Sequence, residues 1–422
     1  MVEEWTRQRR GLAPCHFRLE SQSGKDVEPL ATNLSTRHRK MKIILPMSAL
    51  MMVLSATAAE TPKLLDNNFK CVDLSDLKGS LPLEAISTTL ILTQTEDWEH
   101  SSYKNPQWPK GGHRSLGYPT IVKNDHGKNK DGRYYLFYAH HDPMSGIGCA
   151  VGKSIKGPYV KLAALPGARR KHSRVLTVPN FRATGPNPDD PSHYSSPCVV
   201  WNEKAKLWFM YFHYFNHFHS AWTVDAKSPG EGWQMTALAT CADLAKNDWT
   251  IWKNPRLGKV SVWDIVPVLP TTDAAWSKSA SSYHAIQRLP DGRWLAFMRG
   301  TPTRHPGPTV GFATSSDGRS WKHFAENPVI APGKPWTKKT TEYRPAFIGY
   351  LGNKKYLVAW SEHSEPHVIY STTTDFKTFQ RDPRGYARWK GPDGLVSPWR
   401  EGNRLYLFAG KHLHEIALPV VP

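Results

Sequence analysis

Apolar and polar positions along this chain recur as a unit. A short apolar run, usually opening on X-Pro, is followed by a polar turn and then by an aromatic run. The unit reads YPTIV…DGRYYLFY, SPCVVWNEKAKLWFMYF, HAIQRLPDGRWLAFM, RPAFIGYLGNKKYLVAW and SPWREGNRLYLFAG. Its openings at Pro119, Pro197, Ala285, Pro345 and Pro398 lie 78, 88, 60 and 53 residues apart. β-Branched and aromatic residues flanking an Asp-Gly, Gly-Asn or charged turn predict a β-hairpin for each unit. Recurrence on this scale marks propellers and solenoids.

Each hairpin is followed by a third run of small and β-branched residues: GIGCAVG, MTALATC, TVGFATSSDG, HVIYSTTTD and HEIAL. Stretches such as PYVKLA and NPVIAP read as fourth strands. Helical periodicity is scarce, and 34 prolines and 30 glycines punctuate the chain at short intervals. Five units of four antiparallel strands predict an all-β fold, a five-bladed β-propeller, over residues 88–422. The last unit ends at its third strand, and TTLILT (88–93) is expected to supply the outer strand and close the ring. Residues 60–87 form a lead-in.

The first strand of a blade runs along the channel and the second runs antiparallel to it. Starts of first strands and ends of second strands therefore emerge at one mouth. First-strand starts bring His113, Arg114 and Tyr118, then His193 and Ser196, then Tyr283 and His284, then Glu342 and Arg344, and last Asp393. Second-strand ends bring His140, His141 and Asp142, then His213, then Arg299, then Glu362. With His217, His219, His305, His363 and His412 also assigned to second-strand ends, 11 of the 19 histidines map to this opening.

The early segment has a different character. Met41-Lys42 precedes IILPMSALMMVLSATAAE, which ends in Ala56-Thr57-Ala58. A positive start, a short apolar stretch and small residues are the order of a secretory signal peptide, assigned to 41–59. Translation is then expected to begin at Met41, with residues 1–40 an upstream misread or disordered. The rival is a cytoplasmic tail before a short anchor. The mature protein is expected to be secreted or periplasmic and free of the membrane.

Charge narrows the partner. The chain holds 55 Lys+Arg and 36 Asp+Glu; residues 1–59 hold 9 and 5 of these, leaving 46 against 31, or +15. Such an excess serves solubility or an anionic partner. Nucleic acid would favour clustered basic residues, but here they are spread over every unit. A sulfated or uronic polysaccharide fits better. No signal marks an oligomeric state. Cys71, Cys149, Cys198 and Cys241 are too few for a disulfide scaffold, and buried thiols are as consistent as a bridge. No HxH or HExxH spacing supports a catalytic metal, and no cofactor is implied.

The stretch YPTIV…GRYYLFYAHHD…GIGCAVGKSIKGPY resembles the first blade of the five-bladed glycosidases of families 43 and 32 and their relatives, and SSPCVVWNEKAKLWFMYFH is similar to a second blade. The resemblance covers about residues 90–422. It implies two carboxyl groups flanking a glycosidic oxygen, one as acid and one activating water. Family 43 places aspartates where Tyr118 and Ser196 stand here. Glu342, in TEYRPAF, resembles the family's acid, and Asp142 is the substitute for its base. Family 117, a relative, is thought to use a histidine as acid, which brings in His284. Some relatives hold a structural cation in the channel.

The remaining mouth residues are expected to bind substrate. His113, His140, His141, His193 and His213 suit sugar hydroxyls or sulfate. Arg114, Arg299 and Arg344 suit a sulfate or carboxylate through the guanidinium fork. Tyr118, Tyr283 and Glu362 complete the set. Three readings follow: a hydrolase of an anionic polysaccharide or its oligosaccharides, a lyase using Tyr118, His284 and Arg344, and a carbohydrate-binding propeller without turnover.

Overall fold

The computed structural model describes residues 65–100, 116–140, 146–177, 194–215, 234–252, 267–269, 275–277, 280–301, 309–330, 343–362, 367–388 and 395–419. All belong to one unit, Ala58–Pro422. The expectations for residues 1–59 lie outside the described residues.

The described residues are all-β, with short 3₁₀ turns and no α-helix. Strand β1 (Val72–Asp73) lies in the lead-in and β2 (Ser87–Leu90) follows it. Five antiparallel meanders come next. The first comprises β3 (Gly117–Lys123), β4 (Tyr134–Ala139) and β5 (Gly146–Gly152), with β6 (Val160–Lys161) and β7 (Arg174–Thr177) both on β5. The second is β8 (Tyr194–Asn202), β9 (Leu207–Phe215), β10 (Gln234–Cys241) and β11 (Thr250–Ile251). The third is β12 (Ala280–Arg288), β13 (Trp294–Thr301), β14 (Thr309–Ser315) and β15 (Lys322–His323). The fourth is β16 (Tyr343–Tyr350), β17 (Tyr356–Glu362), β18 (His367–Thr373) and β19 (Gln380–Arg388). The fifth is β20 (Val396–Glu401), β21 (Arg404–Ala409) and β22 (His412–Ala417), and β2 is its fourth strand, with Thr88 opposite His414.

Local chemistry makes the hairpins. Gly132 (φ +66°) and Gly292 (φ +82°) take the left-handed conformation that the Asp-Gly turns demand. The SSDGRSW turn after β14 is built on Asp317, which accepts the backbone N–H groups of Arg319 and Ser320, both at 2.8 Å. Asp375 repeats the device after β18, accepting from Lys377 and Thr378 at 2.8 Å each. Among the described residues of NPVIAP, Ile330 pairs as an isolated bridge to Val310, and β15 is the fourth strand instead.

The core lies between meanders. Tyr194, Trp208 and Met210 pack with Phe137 and Ile147 of the first meander. Phe209 and Tyr211 pack with Trp294 and Met298, Phe297 and Phe312 with Trp360, and Ile348 and Tyr370 with Leu405 and Leu407. A fifth cluster joins Trp399 and Phe408 of the last meander to Leu136 and Tyr138 of the first. The first strands neighbour one another in the order β3, β8, β12, β16, β20 and β3 again. The strand tryptophans Trp201, Trp208, Trp294 and Trp360 are all buried in these seams. The four described cysteines are buried free thiols.

The lead-in fastens to the far ends of the first strands. Asp66 caps the turn Asn67–Phe69 by accepting from the Asn68 N–H at 2.7 Å. Asn68 bonds Lys123 N and O (2.9 and 3.1 Å), and Asn67 bonds Arg400 N and O (3.0 and 2.8 Å). Strand β1 pairs in parallel with the end of β16, and Arg400 grips Asp76 with two bonds of 2.7 and 2.6 Å.

One contact in this lead-in titrates. His126 Nε2 meets Asp66 Oδ2 at 3.0 Å and its ring stacks on Trp201. Burial alone depresses the imidazole, but the Asp66 bond and the charges of Asp66, Asp125 and Glu203 outweigh it and raise the pKa above 6.5. A raised folded value stabilises fully below the unfolded value and is lost as pH rises through the folded one. The contribution of this pair to the urea midpoint is therefore expected to fall as pH climbs from about 6.5, read as the difference between wild type and Asp66→Asn. A difference that does not change with pH shows that this pair does not anchor the lead-in.

Candidate functional site

Three first strands break their ladder at the same point. Pairing shifts register between Gly117 and Thr120, between Ser195 and Cys198, and between Ser282 and Ala285. The residues at the breaks, Tyr118, Ser196 and Tyr283, have φ of +54°, +52° and +46°. Side chains of this size rarely adopt such values, which cost about 1–3 kcal/mol each. Proline follows the first two, removing a ladder donor. His284 follows the third, so proline alone does not cause the bulge. The fourth and fifth strands stay in register at Pro345 and Pro398. Bulges re-aim side chains and recur beside active sites.

The re-aimed residues meet. The rings of Tyr118 and Tyr283 lie 5.9 Å apart, and His213 stands 4.8 Å from Tyr283. The Arg299 guanidinium sits 4.1 Å over the Tyr283 ring, a cation–π contact. Arg299 Nη2 donates to Gln234 Oε1 at 2.5 Å and to Ser282 Oγ at 3.0 Å, and Ser282 Oγ donates to the same Gln234 oxygen at 2.7 Å. All of these side chains are buried.

Next to this cluster lies His284, 0 % exposed. Its Nδ1 is 3.0 Å from Thr236 Oγ1, and Thr236 donates its hydroxyl to Ser281 O at 3.1 Å. The Nδ1–H therefore donates to Thr236, and Nε2 carries the lone pair. Burial pushes the imidazole down to about 4, only partly offset by the Tyr211 carbonyl. His284 is thus neutral at physiological pH, in the form of a base rather than an acid.

A cavity of about 30 Å³ continues from His284 down the first strands. Thr120, Cys198, Gln287, Phe347 and Ser397 line it, together with Lys70 from the lead-in. Lys70 Nζ donates to Ile121 O and, at 3.3 Å, to Ser397 Oγ. Burial pushes this amine down to about 7, against smaller opposing effects of Cys198 and Asp66. No carboxylate is among the lining residues.

Of the residues expected at the mouth, Tyr118, Tyr283, His213 and Arg299 come together, with His284 beside them. His140 is elsewhere: its Nε2–H donates to Trp98 O at 2.8 Å, and it is 1 % exposed. Glu362 stands opposite Tyr343 at the start of β16, and Arg344 opposite Ser361. The expectations for His113, Arg114, His141, Asp142, His193, Glu342 and Asp393 lie outside the described residues. So do those for the side chains of Arg344 and Glu362. Sequence reasoning passed over Gln234, Thr236, Gln287 and Lys70. Gln234 and Thr236, two apart on β10, share a face by strand alternation. Lys70 comes from a segment with no strand signal. No group of three metal-binding side chains occurs among the described residues.

No protein-family model and no curated protein matches the chain. Among solved structures, it is similar to a Hadza microbial sialidase at 15% identity and TM-score 0.46, covering 69% of this chain and 52% of that one. The chain thus spans about half the length of that protein. A thermostable family-43 glycoside hydrolase matches at 13% identity and TM-score 0.46, covering 72% of this chain and 89% of that one. Zg3597, a family 117 glycoside hydrolase of the marine bacterium Zobellia galactanivorans, matches at 11% identity and TM-score 0.46, over 81% and 94% of the two chains. The architecture described above stands on this chain's own strand pairing.

Proposed function

We propose that this protein is a secreted or periplasmic glycoside hydrolase-like protein. It acts on an anionic, sulfated or uronic, polysaccharide or its oligosaccharides by acid/base hydrolysis of a glycosidic bond. The five meanders are read as blades of a five-bladed propeller closed by β2. The cyclic order of first strands and the seam between the fifth and first meanders support this.

The observation that carries the function is the convergence of Tyr118, Tyr283, His213 and Arg299 beside His284, which lines the cavity, two of them on strained bulges. Phenol and imidazole rings suit a sugar face and its hydroxyls, and a guanidinium suits a sulfate or carboxylate. Glu342 is assigned as the acid and Asp142 as the base. The +15 balance beyond residue 59 favours an anionic substrate. The same phenol, imidazole and guanidinium cluster favours a second reading, a lyase in which Tyr118 or His284 removes the proton beside a uronic carboxylate.

The test is incubation of the purified protein with sulfated and uronic oligosaccharides. New reducing ends without ultraviolet absorbance are expected. Reducing ends that carry the absorbance of an unsaturated uronate would transfer the protein to the lyase reading. Tight binding without any cleavage would make it a carbohydrate-binding propeller.

A further inference from the structure

The channel cavity carries polar atoms that the described protein does not satisfy. His284 Nε2 and both amide atoms of Gln287 have no hydrogen-bond partner among the described residues. Both side chains are 0 % exposed and both line the cavity that receives the Lys70 amine. Leaving such atoms dry costs about 1–3 kcal/mol each. A cavity holds a water when it offers roughly 10–15 Å³ and two to four polar partners, and this one has about 30 Å³.

We propose that this cavity is a hydrated site in which water bridges Lys70 Nζ to His284 Nε2, making Lys70 a positioning residue delivered to the candidate site by the lead-in. The hydrogen-bond inventory balances. Water donates to the His284 lone pair and to Gln287 Oε1, and accepts from the Gln287 amide and from the amine. Two of the three amine N–H bonds already go to Ile121 O and Ser397 Oγ, which leaves one.

The lead-in is held firmly enough to keep this arrangement. Asn67, Asn68 and β1 tie Lys70 to the first, fourth and fifth meanders on both sides of the residue. Lys70 itself takes φ +58°, a left-handed turn that redirects the chain there.

The groups facing this pair are few. Lys70 meets the Cys198 thiol of β8, Ser397 of β20, the Ile121 carbonyl of β3 and Asp66 of its own segment. Strand β16 contributes Phe347 to the lining. His284 meets Thr236 of β10 and Tyr211 of β9. Burial raises the Cys198 thiol pKa and keeps it neutral. His213 of β9 and Arg299 of β13 stand beyond Tyr283, so among the residues that line the cavity the charge that changes near neutrality is the Lys70 amine's. Relevance to turnover rests on the carbohydrate-active reading above; the hydrated pair itself does not.

The test needs no substrate. Imidazole ¹⁵N resonances of the labelled full-length protein are followed against pH. The His284 Nε2 resonance is expected to show an inflection near neutrality, far above protonation of the ring itself. Lys70→Met and Gln287→Leu should each abolish that inflection, the second by removing the amide that holds the water while leaving the amine in place. A wild-type resonance that is flat near neutrality overturns the proposal, whether or not either variant folds. So does an inflection that persists in Lys70→Met. A high-resolution crystal structure with water within hydrogen-bond distance of both nitrogens supports it, and a dry cavity overturns it. Absence of glycosidase activity leaves these readouts untouched, and their failure leaves the glycosidase reading standing.

Discussion

Glu342→Gln is expected to lower turnover on an anionic oligosaccharide by about 10²–10⁴-fold, the usual contribution of a positioned acid or base. Glu342 immediately precedes β16, whose first residue, Tyr343, stands opposite Glu362. That end of β16 corresponds to the end of β3 and β12 where Tyr118 and Tyr283 gather. The amide keeps the size of the side chain and most of its hydrogen bonds but cannot give up a proton. Turnover should therefore fall while oligosaccharide affinity holds. His284 does not compensate, because burial keeps its imidazole neutral until pH falls to about 4. Tyr118→Phe serves as the counter-test: under hydrolysis it weakens binding more than turnover, whereas a lyase would lose turnover. Calorimetric affinity and initial rates for the two variants decide between them. A fully active Glu342→Gln enzyme would remove the acid from this position.

Glu99→Ala is expected to destabilise the protein by about 3–5 kcal/mol, the range for breaking a buried ion pair. The Glu99 side chain is 0 % exposed, and its ion-pair partner Lys161 is 11 % exposed. The carboxylate also accepts from Tyr138 OH at 2.8 Å and from the backbone N–H groups of Thr95 and Glu96 at 2.8 and 3.1 Å. This one residue pins the turn Asp97–Glu99 to β4. Trp98 in that turn accepts the His140 bond. Alanine would orphan two backbone donors and one hydroxyl, and would take the counter-charge from an ammonium that keeps only the neutral acceptors Thr93 O and Thr95 Oγ1. Adding Lys161→Met should restore only the ammonium's share, because the orphaned N–H groups remain. Urea midpoints of the two variants measure this. Full recovery in the double variant would show that the backbone donors find other partners.

Much of the architecture was legible because the hairpin signal is local. Apolar and aromatic runs around Asp131-Gly132 or Asp291-Gly292 encode two strands and a turn within about twenty residues. The five aromatic runs could be read as buried, since rings of that size have little other place to go. The order of the meanders follows from short antiparallel connections. The outer strand of the last meander was also readable, because its third strand lacked a partner downstream and an apolar run upstream was left over.

What tertiary structure decided is how those strands depart from regularity and what enters between them. Tyr118 and Tyr283 carry no sequence mark of their left-handed backbone, which shows only where β3 and β12 shift register against β4 and β13. His140, just past the end of β4, and His284, in the middle of β12, are the same residue type, yet one is tied to Trp98 and the other faces a cavity. That difference depends on chain segments 42 and 48 residues away in sequence, at Trp98 and Thr236. Lys70 shows the limit most plainly. Its segment has no periodicity to interpret, and only the packing of β3, β8 and β20 around it turns a surface amine into a buried one that loses its proton near neutrality. Period and turn chemistry act between neighbours in sequence. Desolvation and strain act between neighbours in space.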